Sequence, residues 1–254
     1  IKAAKSGYNT VLSNGYYIDL MLGLESHYLN DPMPKNANLS AEEKARILGG
    51  EAVMWSELVT PLTIDSRIWP RTAAIAERLW SDAAITDLSS LRKRLKTVSF
   101  RLEELGITHL KNKDVILRNI SNNQKTEVLE DFSKICEPLK ISTRNSGGTE
   151  YKVYSPLTLF ADACTPDAED AVAFEAAVNQ YLENKSPENQ NRVTDFLKKW
   201  IEINSKLIVL SSNAPLIQPI LPLSKNISEA SQQLLLKIEK KQAVNTAVLR
   251  DLIE

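Results

Sequence analysis

Histidine and cysteine are nearly absent from this chain, with two of each in 254 residues. His27 and His109 are too few to build a histidine zinc site. Cys136 and Cys164 lie far apart, have no metal-ligand spacing, and read as two ordinary thiols. No metal and no cofactor are expected. An excess of one charge is missing too. The net charge is −1, so no polybasic face argues for nucleic acid or an anionic membrane as partner. No apolar run approaches the roughly 20 residues of a membrane span, and no signal peptide is visible. What remains is ordinary globular composition. Apolar residues make up 43% and charged residues 25%, enough apolar mass for one large domain or two smaller ones. The opening, Ile1-Lys2-Ala3-Ala4-Lys5-Ser6-Gly7, reads as the end of a helix closed by Gly7, which suggests a piece of a longer polypeptide.

The first 110 residues alternate in type. Tyr8–Ser13 is β-prone, Asn14-Gly15 breaks it, and Tyr16–Leu20 follows. Residues 25–40 read as a loop. Ser40-Ala41-Glu42-Glu43 resembles a capping box for a helix through Ile47, ended by Gly49-Gly50, with a strand expected over Glu51–Glu57. Residues 66–80 read as one helix with Pro70 in its first turn. Leu91, Leu95, Val98, Leu102 and Leu105 mark another, with Gly106 as its cap. This alternation is the signature of βα units around a parallel sheet, an α/β architecture. From about residue 112 the composition changes. Asn112–Lys125 reads as a polar loop, Val128–Leu139 as a helix, 142–150 as a loop and Tyr151–Ala163 as containing a short strand. Three helical patterns follow, on Phe174–Leu182, Val193–Ile208 and 228–252. Pro215, Pro219 and Pro222 form a stiff connector between the last two. The expected division is 1–112 and 113–254, the second part mostly α-helical.

Two aromatic–acid pairs stand out. Tyr17 and Asp19 are two apart in one extended segment, and Trp55 and Glu57 repeat the pattern in the next. Residues two apart on a strand share a face, and at the C-terminal end of a barrel strand that face looks into a substrate pocket. An indole beside a carboxylate suits a sugar: the ring covers apolar C–H faces and the acid takes hydroxyl protons. Tyr16 faces the other way and is expected in the core. His27 reads as a surface histidine or the border of an outer subsite. The adjacent acids Glu42-Glu43 and Glu103-Glu104 fall on expected helices and read as solvated faces.

Three blocks carry a resemblance. Asn14-Gly15-Tyr16-Tyr17-Ile18-Asp19-Leu20, then Gly49-Gly50-Glu51-Ala52-Val53-Met54-Trp55-Ser56-Glu57, then Arg67-Ile68-Trp69-Pro70-Arg71 through Ala76-Glu77-Arg78-Leu79-Trp80-Ser81 resemble the end of a family 20 glycoside hydrolase, the β-N-acetylhexosaminidases. The resemblance covers residues 1–110. It implies the C-terminal portion of a (β/α)8 TIM barrel, followed here by the helical domain. It also implies a substrate-assisted mechanism, an exception to the two-carboxylate scheme, in which the sugar's 2-acetamido carbonyl attacks the anomeric carbon. The general acid Glu and its partner Asp would then lie on an upstream part of the same polypeptide. Tyr17 resembles the tyrosine that holds the acetamido oxygen. Asp19 resembles an acid that receives a sugar hydroxyl, Trp55 the indole wall of the −1 subsite, and Glu57 the acid that binds the C4 hydroxyl. Trp69, Arg71, Glu77, Arg78 and Trp80 read as scaffold, with Arg71 or Arg78 paired to a buried acid. The implied partner is an N-acetylhexosamine-terminated oligosaccharide or glycoconjugate. The implied compartment is secreted, periplasmic or lysosomal in type, and a homodimer is left open.

The competing reading is a non-catalytic fragment that binds sugar or offers its helical half as an interaction surface. The barrel reading makes a physical prediction. Two strands cannot close a sheet or bury both of their faces. Residues 1–112 expressed alone are expected to need the upstream chain, or a second copy, to stay soluble. A monomeric, cooperatively unfolding 1–112 fragment in sedimentation and urea titration would contradict this.

Overall fold

The computed structural model describes residues 1–33, 35–56, 59–140, 159–241 and 246–253. It contains two compact units, one centred on Ile1–Asn112 and the other on Lys113–Pro138 with the helices from residue 159 onward. The architecture is mostly helical, with one small parallel sheet.

The first unit begins with α1 (Lys2–Lys5) and β1 (Thr10–Leu12). Helices α2 (Leu24–Tyr28) and α3 (Ala41–Ala45) follow, then β2 (Ile47–Gly50). The strands pair in parallel, with Thr10 opposite Ile47, Val11 opposite Gly49 and Leu12 opposite Gly50. A parallel pair needs a crossover connection, and α2 and α3 lie within it. The capping box on α3 is formed: Ser40 Oγ accepts the Glu43 N–H, and the Glu43 carboxylate accepts the Ser40 N–H at 2.8 Å.

Here the expected boundary shifts. The helix ends at Ala45, and Gly49-Gly50 lies inside the strand rather than before it. The reason is a close approach. A Cβ on Gly50 would sit 2.6 Å from Cε2 of the Tyr16 ring, so only glycine lets the strand backbone lie on that ring. Tyr16 is fully buried, as its register implied, beside Ile18 and Ile75.

The helix expected over 66–80 is two helices, α4 (Ile64–Ile68) and α5 (Arg71–Trp80). Trp69 is extended between them, as a residue before proline tends to be, and the Trp69–Pro70 peptide is cis. Helix α6 (Leu88–Glu104) starts at Asp87, whose carboxylate caps the Ser90 N–H. It closes as expected at Gly106, where Ile107 N–H returns to Leu102 O and Gly106 N–H to Glu103 O. Tyr28, Ala74, Leu91 and Leu95 join α2, α5 and α6 in one cluster.

The second unit is helical. The polar reading of 112–125 is overturned by α7 (Lys111–Ile120), which buries Ile116, Leu117 and Ile120 on one face while Lys111, Arg118 and Asn119 stay exposed. Helix α8 (Glu127–Ser133) follows. Then α9 (Leu159–Ala163) occupies the end of the stretch expected to contain a short strand; residues 141–158, which hold the expected loop and the rest of that stretch, lie outside the described residues. Helices α10 (Glu169–Glu183) and α11 (Pro187–Ser211) match the first two periodic patterns, whereas the third, expected over 228–252, is interrupted: α12 (Leu221–Lys240) starts earlier and stops at Lys241, whose φ is +53°. The proline connector is a 3-10 helix, Pro215–Ile220, with Pro222 in the first turn of α12, where proline's missing N–H costs nothing. Helix α13 (Thr246–Ile253) ends the described chain.

Leu129, Phe132, Val193, Leu197, Leu207 and Ile217 form the core, with Phe132 stacked on Phe160 at 5.1 Å. The Lys199 ammonium reaches Asp131 at 2.9 Å and Asp170 at 3.1 Å, tying α11 to α8 and α10. Both cysteines are free. Burial pushes the Cys136 thiol up to about 12 and raises that of Cys164 as well, so neither is a reactive thiolate at neutral pH.

A Gly50→Ala substitution tests the strand–ring contact. It is expected to cost about 1–3 kcal/mol, because the buried Tyr16 ring has nowhere to retreat. A urea midpoint unchanged from the parent would refute the close approach.

Candidate functional site

The site is built where the chain leaves the two strands. The backbone pairing continues past Leu12 and Gly50: Glu51 N–H bonds Leu12 O, Val53 N–H bonds Tyr16 O, and Ile18 N–H bonds Val53 O, each at 3.0 Å. A parallel bridge between Tyr17 and Val53 follows. These bonds hold Tyr17–Asp19 beside Val53–Trp55.

Below them the Asn14-Gly15 turn is fixed on three sides. Gly15 has φ +88°, and a Cβ there would run into the Asn30 side chain. Asn30 Nδ2 donates to Asn14 O at 3.0 Å, and Tyr16 OH donates to Asn30 O at 2.8 Å. Burial, with the Asp31 charge adding to it, pushes the Tyr16 phenol up to about 12, so it stays a neutral donor. His27 corrects its expected role. It is buried, neither a surface histidine nor at a subsite border, and its Nδ1 lies 2.8 Å from Gly15 O.

Tyr17 and Trp55 meet edge to face, their centroids 6.3 Å apart and their planes at 88°. Such a pair is worth about 0.5–1.5 kcal/mol beyond its buried area. Trp55 is 65% exposed, so most of its indole remains available to a ligand. Asp19 faces the same place: its Oδ2 accepts the Trp55 backbone N–H at 2.9 Å, and its Oδ1 is shielded from solvent with no hydrogen-bond partner. The structure therefore brings together Tyr17, Asp19 and Trp55.

Glu57 lies outside the described residues, and the reasoning that paired it with Trp55 changes. Ser56 between them has φ +62°, outside the extended region, so strand alternation does not carry across it. Past the bridge at Tyr17, Ile18–Leu20 is likewise a bend and turn rather than a strand. The convergence comes from the chain's curvature after the ladder.

Arg71 is the residue whose importance the sequence reading understated. It is buried at the start of α5. Its Nη2 donates to Ile18 O at 2.6 Å and to Arg67 O at 2.5 Å, and its Nη1 to Leu22 O at 3.2 Å. One guanidinium thus grips the backbone between Tyr17 and Asp19 from beneath. Its place in a proline-flanked Arg-rich block was the signal. Arg78 does approach an acid, Asp31, at 4.0 Å, but it also caps the turn after α5 through Ile85 O and Asp82 O, each at 3.0 Å. Glu77 is scaffold: it accepts Tyr28 OH at 2.6 Å, Arg94 Nη2 at 2.5 Å and Arg94 Nε at 3.2 Å. Trp80, expected as scaffold, is 90% exposed and so does no packing within the described residues. His109 is buried with Nε2 on the Ser99 hydroxyl. The second unit carries an open groove of about 670 Å³ lined by Asn123, Val128, Lys206, Val209 and Asn213 among others; none of its lining residues is aromatic.

Residues 1–83 match the model of the glycosyl hydrolase family 20 catalytic domain, and this part of the chain belongs to that family, as its three blocks indicated. The mouse β-hexosaminidase subunit beta is 36% identical over 105 residues, covering 40% of this chain and 19% of the mouse protein. A chitooligosaccharidolytic β-N-acetylglucosaminidase from Ostrinia furnacalis is 40% identical over 86 residues, 34% of this chain and 14% of that protein. The crystal structure of Flavobacterium johnsoniae chitobiase is 66% identical with a TM-score of 0.93, covering 99% of this chain and 38% of that one. The chain thus spans about a fifth or less of these two curated relatives and 38% of the solved neighbour. The chitobiase match includes the helical unit, which the family model does not reach.

Glu77 gives a pH prediction. Burial raises its pKa, but the hydrogen bonds from Arg94 and Tyr28 and the charges of Arg94 and Arg78 outweigh this and hold it below the usual 4.5. A depressed carboxylate contributes stability that is full above its unfolded value and is lost as pH falls through the lowered one. The thermal midpoint should fall as pH drops below about 4.5, and Glu77→Gln should remove part of that fall. Parallel midpoint–pH curves for the two proteins would count against it.

Proposed function

We propose that this chain is part of a β-N-acetylhexosaminidase that releases terminal N-acetylhexosamine from chitin oligosaccharides or related glycoconjugates. The carrying observation is the meeting of Tyr17, Asp19 and Trp55 on neighbouring tips of a parallel β pair, inside sequence that belongs to family 20. The names of the relatives support the substrate class.

In this reading β1 and β2 are adjacent strands of a (β/α)8 barrel, and the tips beyond their C-terminal ends face the sugar. The exposed Trp55 indole packs against the sugar ring or its acetamido methyl. The Tyr17 hydroxyl donates to the acetamido carbonyl oxygen, keeps it in line with the anomeric carbon and favours the oxazolinium as charge develops. Asp19 accepts a sugar hydroxyl, and Glu57 takes the C4 hydroxyl. The proton for the leaving oxygen comes from an Asp–Glu pair assigned to chain outside these residues. These 254 residues therefore bind and orient without completing the reaction. The boundary between the barrel part and the helical domain is placed at 112/113.

A chromogenic N-acetyl-β-glucosaminide tests the reading. The intact protein is expected to cleave it and to leave the matching glucoside, which has no acetamido group, uncut. The 254-residue piece alone should give no turnover. Tyr17→Phe, which removes one hydrogen bond to developing charge, should lower kcat by about ten- to a hundredfold with little change in the melting temperature. Equal cleavage of the glucoside would defeat the substrate-assisted account.

A further inference from the structure

We infer that Asp19 is a positioning residue for the indole wall, acting through the main chain of Trp55 as well as through any hydroxyl it receives. The inference rests on the hexosaminidase reading for its kinetic consequence but not for its geometry. Three observations carry it. Asp19 Oδ2 accepts the Trp55 N–H at 2.9 Å, across 36 residues of sequence. The last bridge between the two segments joins Tyr17 to Val53, so the ladder has ended before Trp55 and the carboxylate takes over its work. The chain then turns at Ser56 with φ +62°, and among the described residues no further strand pairing holds Trp55. The indole is 65% exposed and touches Tyr17 only edge-on; its direction is set mainly by where its backbone is held. One carboxylate oxygen thus holds the wall, while the other is shielded from solvent and has no hydrogen-bond partner among the described residues.

Asparagine at 19 keeps an oxygen for the Trp55 N–H, whereas alanine keeps none. In the intact protein, amide hydrogen exchange at Trp55, read by mass spectrometry, should be at least about tenfold faster in Asp19→Ala and near the parent rate in Asp19→Asn. In kcat/KM on the chromogenic N-acetylglucosaminide, Asp19→Ala should fall about tenfold below Asp19→Asn, chiefly through KM. That gap should close when Trp55 is also alanine, because there is then no wall to position. If Asp19→Ala does not fold, Asp19→Ser, too short to reach the N–H, takes its place. Parent-like exchange at Trp55 in the alanine or serine variant overturns the inference, and so does a gap that survives in the Trp55→Ala background. Fast exchange in an intact protein that cleaves no N-acetylhexosaminide supports the positioning role and defeats the hexosaminidase reading instead.

Discussion

The backbone of Gly50 lies on the ring of Tyr16, and the placement of everything around the site depends on that approach. The contact sets how near β2 comes to the segment after β1. From there the bonds Glu51–Leu12, Val53–Tyr16 and Ile18–Val53 carry the pairing forward until the two tips stand side by side. The ring is itself held by Asn30, and Asn30 also receives the Asn14-Gly15 turn. A buried tyrosine therefore sets the spacing for a half-buried one next to it. The two adjacent tyrosines have opposite duties because alternate residues face opposite ways.

The scaffold beneath has the same logic. Arg71 donates to the carbonyls of Ile18, Leu22 and Arg67, so its guanidinium holds three points of the backbone at once. Backbone carbonyls are satisfactory partners for a guanidinium, and they fix chain path rather than charge balance. Farther out, Glu77 joins Tyr28 on α2 to Arg94 on α6, and Arg78 lies 5.6 Å over the Tyr28 ring. The polar residues of the third block thus hold the helices that carry the site loops.

The legible parts of the sequence were those governed by local chemistry. The Ser40 box, the Gly106 terminus and the periodic stripes of α10 and α11 each depend on a few neighbouring residues, and they came out as read. The errors lie where tertiary contact decides. Gly49-Gly50 looked like a helix stop because the ring that needs Gly50 is 34 positions away. Helix α7 was hidden because Lys111, Asn112, Lys113 and Asp114 make its first turn polar, and its apolar face appears only once α8 and α11 supply a core. The pair Tyr17/Asp19 was found by a strand argument although the segment is a turn. The structure brings Tyr17, Asp19 and Trp55 together, but the geometry that joins them is curvature, which no two-residue spacing encodes. Arg71 was seen and underrated, since its partners are carbonyls that a sequence does not display as polar.

The grip on Trp55 is made to its peptide nitrogen and takes no notice of what side chain that nitrogen carries. Any residue except proline offers the same N–H. The lining at position 55 is therefore exchangeable: evolution or a designer can trade indole for another surface there and keep the tip seated. Ligand preference and loop architecture are in that sense inherited separately in this protein.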